Sequence, residues 1–118
     1  MEKLYDKSLT ELHDLLVSKE ITAVDLTEET LNRIQDTEEQ LGSFITVSEE
    51  KAMALAKAID LKGITESNPL AGIPIGIKDN IVTKDILTTA GSKMLHNFDP
   101  IYDATVMDKV YQDRKSVV

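Results

Sequence analysis

Cysteine is absent from this 118-residue chain, which excludes disulfide staples and thiol nucleophiles and removes the commonest zinc ligands. Tryptophan is absent too, and aromatics total only 4%, so the core is expected to be aliphatic and alanine-rich. The two histidines, His13 and His96, stand too far apart in sequence to suggest a metal site, and no metal ligand is expected. No apolar run approaches the roughly 20 residues that a membrane-spanning helix needs. The opening MEKLYDKSLTELHD is polar and acidic, without the apolar stretch of a secretory signal. A soluble cytoplasmic protein without membrane contact is expected. Neither a G-x-x-x-x-G-K-[ST] phosphate loop nor a Ser/His/Asp arrangement is present, so no cofactor-binding residue is expected in this chain.

What is present divides into two halves. Residues 1–66 carry 15 acidic and 7 basic side chains, a balance of −8, whereas residues 67–118 carry 6 of each and balance to zero. The acidic excess on the first half repels phosphate at long range and argues against direct nucleic-acid binding there. The apolar share of 42% is ordinary for a globular protein.

Residues 1–66 read as helices. Ser8 and Glu11 fit a capping box, followed by Leu9, Leu12, Leu15 and Leu16 at helical spacing. Thr22 with Asp25 marks a second start, ahead of Leu26, Leu31 and Ile34, with Gly42 as its stop. FITV (44–47) reads as a short β-like run. Ser48 then reads as an N-cap with Glu49 and Glu50 in the first turn. Ala52, Leu55, Ala56 and Ile59 form a third helical face, ended near Gly63, and its small residues predict close packing. ITESNPLAG (64–72) is a polar, turn-forming separator.

Residues 67–118 have a strand-and-loop pattern. In PLAGIPIGIKDNI (69–81), Ile73, Ile75 and Ile77 alternate with Pro74, Gly76 and Lys78, so an extended segment puts three isoleucines on one face. Pro74 cannot donate a ladder hydrogen bond, so pairing is expected to begin after it or to lie at an edge. Gly76 leaves space beside Lys78, and alternation sends Asp79 to the other side. TTAGS (88–92) and NFDP (97–100) follow as loops. Asp103 reads as the N-cap of a helix carrying Ala104, Val106, Met107 and Val110, and Val117 and Val118 as the start of a new strand.

Lys78 is one of eleven lysines, and the ordinary role of such a side chain is to lay its stem on apolar surface with its amine in water. Its setting suggests another role, because a stiff apolar segment presents the amine beside a cleared space. A lysine acts as a general base only when neutral, so its pKa must fall from roughly 10.4 toward 7. That costs on the order of 4–5 kcal/mol, usually supplied by burial away from carboxylates.

PLAGIPIGIKDNI, with TTAGS and then IYDATV (101–106), resembles the catalytic-lysine segment of the amidase signature hydrolases. TTAGSKMLHNFDPIYDATV (88–106) and SLTELHDLLVSKEITAVDL (8–26) are similar in particular to the tRNA-dependent amidotransferase branch of that family. The resemblance covers residues 4–110. It implies an α/β fold in which amino-terminal helices are followed by the first strands of a mixed sheet. Residues 1–118 would then be the amino-terminal, incomplete portion of one amidase signature domain, with a helical part (1–66) and a strand-and-loop part holding the lysine motif (67–118).

The resemblance implies a Ser–cis-Ser–Lys triad for amide cleavage, with Lys78 as the catalytic lysine. In that branch, glutamine is hydrolysed and its ammonia passes to a partner subunit that uses ATP and Mg2+ to convert Glu-tRNA(Gln) to Gln-tRNA(Gln). Two partner subunits, of B and C type, are implied. The family's two serines lie in a downstream Gly/Ser-rich stretch that this chain lacks, and Ser92 belongs to a different segment. YQDRKSVV (111–118) also departs from the family pattern. The expectation is therefore a chain truncated, or altered in reading frame near Tyr111, and inactive alone. Two other readings remain: an amidase signature hydrolase acting on small amides, and a non-catalytic helical interaction module.

Overall fold

A computed structural model describes residues 3–113 and 116–117. Its framework is three helices, α1 (Leu9–Val17), α2 (Ala23–Leu41) and α3 (Glu49–Lys62), after a 3-10 turn at Leu4–Asp6. Both expected capping boxes form. Ser8 Oγ accepts from the Glu11 N–H at 3.2 Å, and the Glu11 carboxylate accepts from the Ser8 N–H at 2.7 Å. Thr22 and Asp25 make the same reciprocal pair, each bond 3.0 Å.

Helix α2 has a further anchor that no local pattern announces. The Asp60 carboxylate, near the end of α3, accepts from the N–H groups of Ala23 (2.8 Å) and Val24 (3.0 Å). An anion at a helix start satisfies orphan donors and suits the macrodipole. It also fixes α3 antiparallel to α2. Ala23, Ala52 and Ala56 are fully buried in the seam between the two helices, so the expected close packing is found. Gly42 ends α2 in the left-handed conformation, φ +58°, and Gly63 ends α3.

Several local expectations need correction. FITV (44–47) forms no strand. The Phe44 N–H is taken by the Glu38 carboxylate at 2.7 Å, and no described strand lies alongside to supply a ladder. The two-residue alternation survives as burial: Phe44 and Thr46 are half-buried, whereas Ile45 and Val47 are exposed. Ser48 does occupy the N-cap of α3, but without a side-chain capping bond. Leu9 stays exposed, so the inward line of α1 is the i, i+4 pair Leu12 and Leu16.

The second half is mostly turn. Pro74–Ile75 (β1) pairs in parallel with Ser116–Val117 (β2), Pro74 opposite Ser116. Pairing therefore includes Pro74, at the edge of a two-stranded ribbon where the missing N–H costs no bond. Val118, the other half of the expected strand start, lies outside the described residues, as do Arg114 and Lys115 of the YQDRKSVV segment. The helix between the strands, α4 (Thr105–Gln112), begins after Ala104, not Asp103. Asp103 is drawn away because its carboxylate accepts from the Lys84 N–H at 2.7 Å, while the Ala104 N–H donates to the Val82 carbonyl at 2.8 Å. Met107 and Val110 are buried as expected, and Val106 is exposed.

The three alternating isoleucines join two clusters. Ile73 packs with Leu12, Leu16 and Leu26, and Ile75 and Ile77 pack against Met107 and Val110. Gly72 permits the approach, because a Cβ there would stand 3.0 Å from Ile64 Cδ1 and 3.1 Å from Ala23 Cβ at φ +78°. Residues 73–77 thus stitch the helices to α4 and deliver residue 78 at a fixed place. Among the described residues, no helix is long and apolar enough to cross a membrane.

Candidate functional site

Lys78 lies where the Ile73–Ile77 segment runs out, on the wall of an open cavity of about 630 Å³. The wall also includes Ser43, Phe44, Gly76, Thr88 and Gly91. Gly76 faces this space: a Cβ there would meet only the Phe44 ring, at 3.8 Å. The sequence expectation of a lysine beside a cleared space is met by this arrangement. Lys78 is nevertheless exposed, so the desolvation expected for a neutral amine is not provided by the described residues. Among them, Lys78 Nζ has no hydrogen-bond or ion-pair partner.

Asp79 lies in the turn after Lys78 and on the wall of the same cavity, so its place is set by its own bonds and not by strand alternation. Its carboxylate accepts from the Thr89 N–H at 3.0 Å, from the Thr89 hydroxyl, and from the Gly91 N–H at 3.4 Å. Its backbone carbonyl accepts from the Ala90 N–H at 2.9 Å. Burial pushes the Asp79 carboxyl up, but the Thr89 hydroxyl and the Thr89 and Gly91 N–H groups together outweigh that and hold it below the usual carboxylate range. The turn so held is strained at one point, since Ala90 has φ +49°, a conformation that residues other than glycine seldom adopt.

The other candidates sit apart from this chemistry. Ser92 is not on the cavity wall; its Oγ accepts from the Met94 N–H at 3.2 Å and starts the 3-10 turn Lys93–Leu95. His96 Nδ1 is 2.9 Å from the Lys93 carbonyl. His13 is on α1 with a buried Nδ1 that has no partner among the described residues. Among the described residues, no group of three His, Cys, Asp or Glu side chains could hold a metal ion. Sequence reasoning missed the Asp79 clamp and the approach of Ser43 and Ser48 to the lysine's cavity. The serines carry no sequence signal for it. The clamp has one, an Asp ten residues ahead of a Thr-Ala-Gly turn.

Residues 25–113 match the family model described as Amidase. Among curated relatives, the chain is 59% identical over 105 residues to the A subunit of glutamyl-tRNA(Gln) amidotransferase from Streptococcus mutans, covering 89% of this chain and 22% of that one. It is 58% identical over 107 residues to the A subunit of the enzyme of the same name from Listeria innocua, covering 91% and 22%. The chain thus spans about a fifth of the length of these relatives. Among solved structures, it superposes on the native peptide amidase of Stenotrophomonas maltophilia with a TM-score of 0.87 at 25% identity, covering 99% of this chain and 25% of that one. An amidase family protein from Bacillus anthracis gives 0.79 at 26% identity, covering 96% and 23%.

Proposed function

The chain belongs to the amidase family, and on that premise we propose that it supplies the lysine-bearing part of the A subunit of a tRNA-dependent amidotransferase. That polypeptide hydrolyses glutamine, and the released ammonia converts Glu-tRNA(Gln) to Gln-tRNA(Gln) on a partner subunit. ATP and Mg2+ are used by that partner, and no step at Lys78 passes through them. The reading is supported above all by the placement of Lys78 on the cavity wall at the end of a segment anchored in two apolar clusters. Identity of 58–59% to A subunits of that enzyme favours this branch over the peptide amidases, which share the fold at 25% identity.

In this reading Lys78 is the general base, accepting the nucleophile's proton through an intervening serine. Neither serine is assigned within this chain. The amine's desolvation comes from groups packed over the cavity in the assembled enzyme, beside B- and C-type partners. The two halves, 1–66 and 67–118, belong to one domain, with α1–α3 serving to hold the Ile73–Ile77 segment in place.

The test is Lys78→Ala in the assembled amidotransferase, assayed with glutamine and separately with free ammonia. Loss of a general base is expected to lower glutamine-dependent amidation by about 10²–10⁴-fold, while the ammonia-supported reaction persists. The 118-residue chain alone is expected to turn over no glutamine. Equal activity of Lys78→Ala and the parent with glutamine would remove the base assignment. Hydrolysis of small amides without Glu-tRNA or partner subunits would favour the small-amide reading instead. A complex that binds its partners unchanged and hydrolyses no amide would leave a helical interaction module.

A further inference from the structure

We propose that Asp79 is a positioning residue for Lys78: its carboxylate holds the Thr89–Gly91 turn as cavity wall and is itself occupied by that turn instead of pairing with the lysine. The inference rests on the reading of Lys78 as the base and adds a residue to it. A carboxylate adjacent in sequence to a base lysine is a hazard. An opposite charge within about 4–6 Å favours the ammonium form, and an ammonium cannot accept a proton. Lys78 and Asp79 open a turn closed by the Ile81 N–H on the Lys78 carbonyl at 3.0 Å, and strand alternation does not keep the short acidic side chain away from the lysine there.

Three donors from one turn do hold it. The Thr89 hydroxyl and N–H and the Gly91 N–H converge on the two carboxylate oxygens, and the Ala90 N–H binds the Asp79 carbonyl at 2.9 Å. The turn adopts left-handed backbone at two successive residues, Ala90 at φ +49° and Gly91 at φ +68°, and its N–H groups at 89 and 91 reach the carboxylate while that of Ala90 takes the backbone carbonyl between them. Ala90 has no glycine's freedom there, so the clamp supports a conformation that residues other than glycine seldom adopt. Asp79, Ala90, Gly91 and Lys78 line the same cavity, and the Asp79 carboxylate is bound to the turn and not to the lysine. The bonds therefore set the cavity wall and sequester the charge together, and Thr89 is the donor that contributes twice.

The test compares Thr89→Val, which removes one hydroxyl at nearly constant shape, with Thr89→Ser, which keeps the donor. Two quantities are read in the chain: amide hydrogen exchange at Ala90 and Gly91, and the rate of Lys78 acylation by an amine-directed reagent at fixed pH. Thr89→Val is expected to speed exchange at both amides and to slow Lys78 acylation by about threefold or more, as the released carboxylate favours the ammonium. Thr89→Ser is expected to restore both. Faster exchange with unchanged acylation would make the clamp structural only and overturn the proposal, as would unchanged exchange. Helical circular dichroism accompanies each variant. If Thr89→Val lost it, Thr89→Ala, which removes the same hydroxyl without adding bulk, would replace it: faster exchange with slower acylation would support the proposal, and unchanged acylation would overturn it. Failure of Lys78→Ala to affect amidation removes the base reading and leaves these two measurements standing, so the two failures are separable.

Discussion

Lys78 and Asp79 are neighbours in sequence with opposite fates, one exposed on a cavity wall and unpartnered among the described residues, the other saturated by three donors. The direction of the Asp79 shift carries a pH dependence. A carboxyl whose pKa is lower folded than unfolded contributes stability above its unfolded pKa, near 3.9, and loses it as pH falls through the folded value. Asp79→Asn removes that titration. The variant is expected to be less stable than the parent at neutral pH and to lose less stability on acidification to about pH 3. Urea midpoints at the two pH values check this, and a parent and variant with equal acid sensitivity would contradict it. Lys78 was legible as a candidate because an apolar alternation ending on a charge is visible in a few consecutive residues. The role of Asp79 was not, because its partners are presented by a turn ten to twelve residues away, in a conformation that the letters Ala-Gly do not force. The exposure of Lys78 was not legible either, because desolvation depends on what packs over the cavity, not on the strand that carries the lysine.

At the scale of elements, the helices follow from local chemistry and the extended segments do not. Ser8/Glu11 and Thr22/Asp25 form their boxes because every partner lies three residues away, and Gly42 and Gly63 stop helices for equally local reasons. FITV and Asp103 misled because their outcomes were set at a distance: Glu38 takes the Phe44 N–H, and Lys84 takes the Asp103 carboxylate. Asp60 shows the same limit from the other side. It reads as an ordinary surface acid near the end of α3, yet its two bonds to the start of α2 span 36 and 37 residues. Hydrogen bonds to a charged acceptor contribute about 1.5–3 kcal/mol each when unshared with water, and Asp60 is half-buried. Asp60→Ala is therefore expected to destabilise the chain by about 2 kcal/mol, more than the roughly 1 kcal/mol expected for the exposed cap in Ser8→Ala. Chemical denaturation of the two variants compares them directly, and an equal loss would show that the long-range cap adds nothing beyond a local one.

The whole molecule is more open than its length requires. Its accessible surface is 7727 Å², against about 6,400 Å² for a compact monomer of this mass, and its radius of gyration is 14.7 Å, against about 13.5 Å. Among the described residues, the buried apolar side chains fall into four small clusters, two of them bridged by Ile64. Some of the excess surface is apolar: Leu61 is 89% exposed, Met94 90% and Ile101 85%, with Tyr102 beside Ile101 in sequence. Charge separates these positions. Leu61 belongs to the half with a balance of −8, whereas Met94, Ile101 and Tyr102 belong to the half that balances to zero. Like charge keeps apolar surface apart in solution, and its absence leaves the hydrophobic attraction unopposed. Self-association of the purified chain is therefore expected to run through the 94–102 region. Ile101→Lys should weaken association, measured by sedimentation over a range of concentrations, and Leu61→Lys should leave it nearly unchanged or strengthen it by lowering the acidic excess. Helical content should stay constant in both, since neither residue joins a buried cluster. A chain whose association responded to Leu61→Lys as strongly as to Ile101→Lys in the weakening direction would show that exposed apolar area alone, not its charge setting, governs the contact.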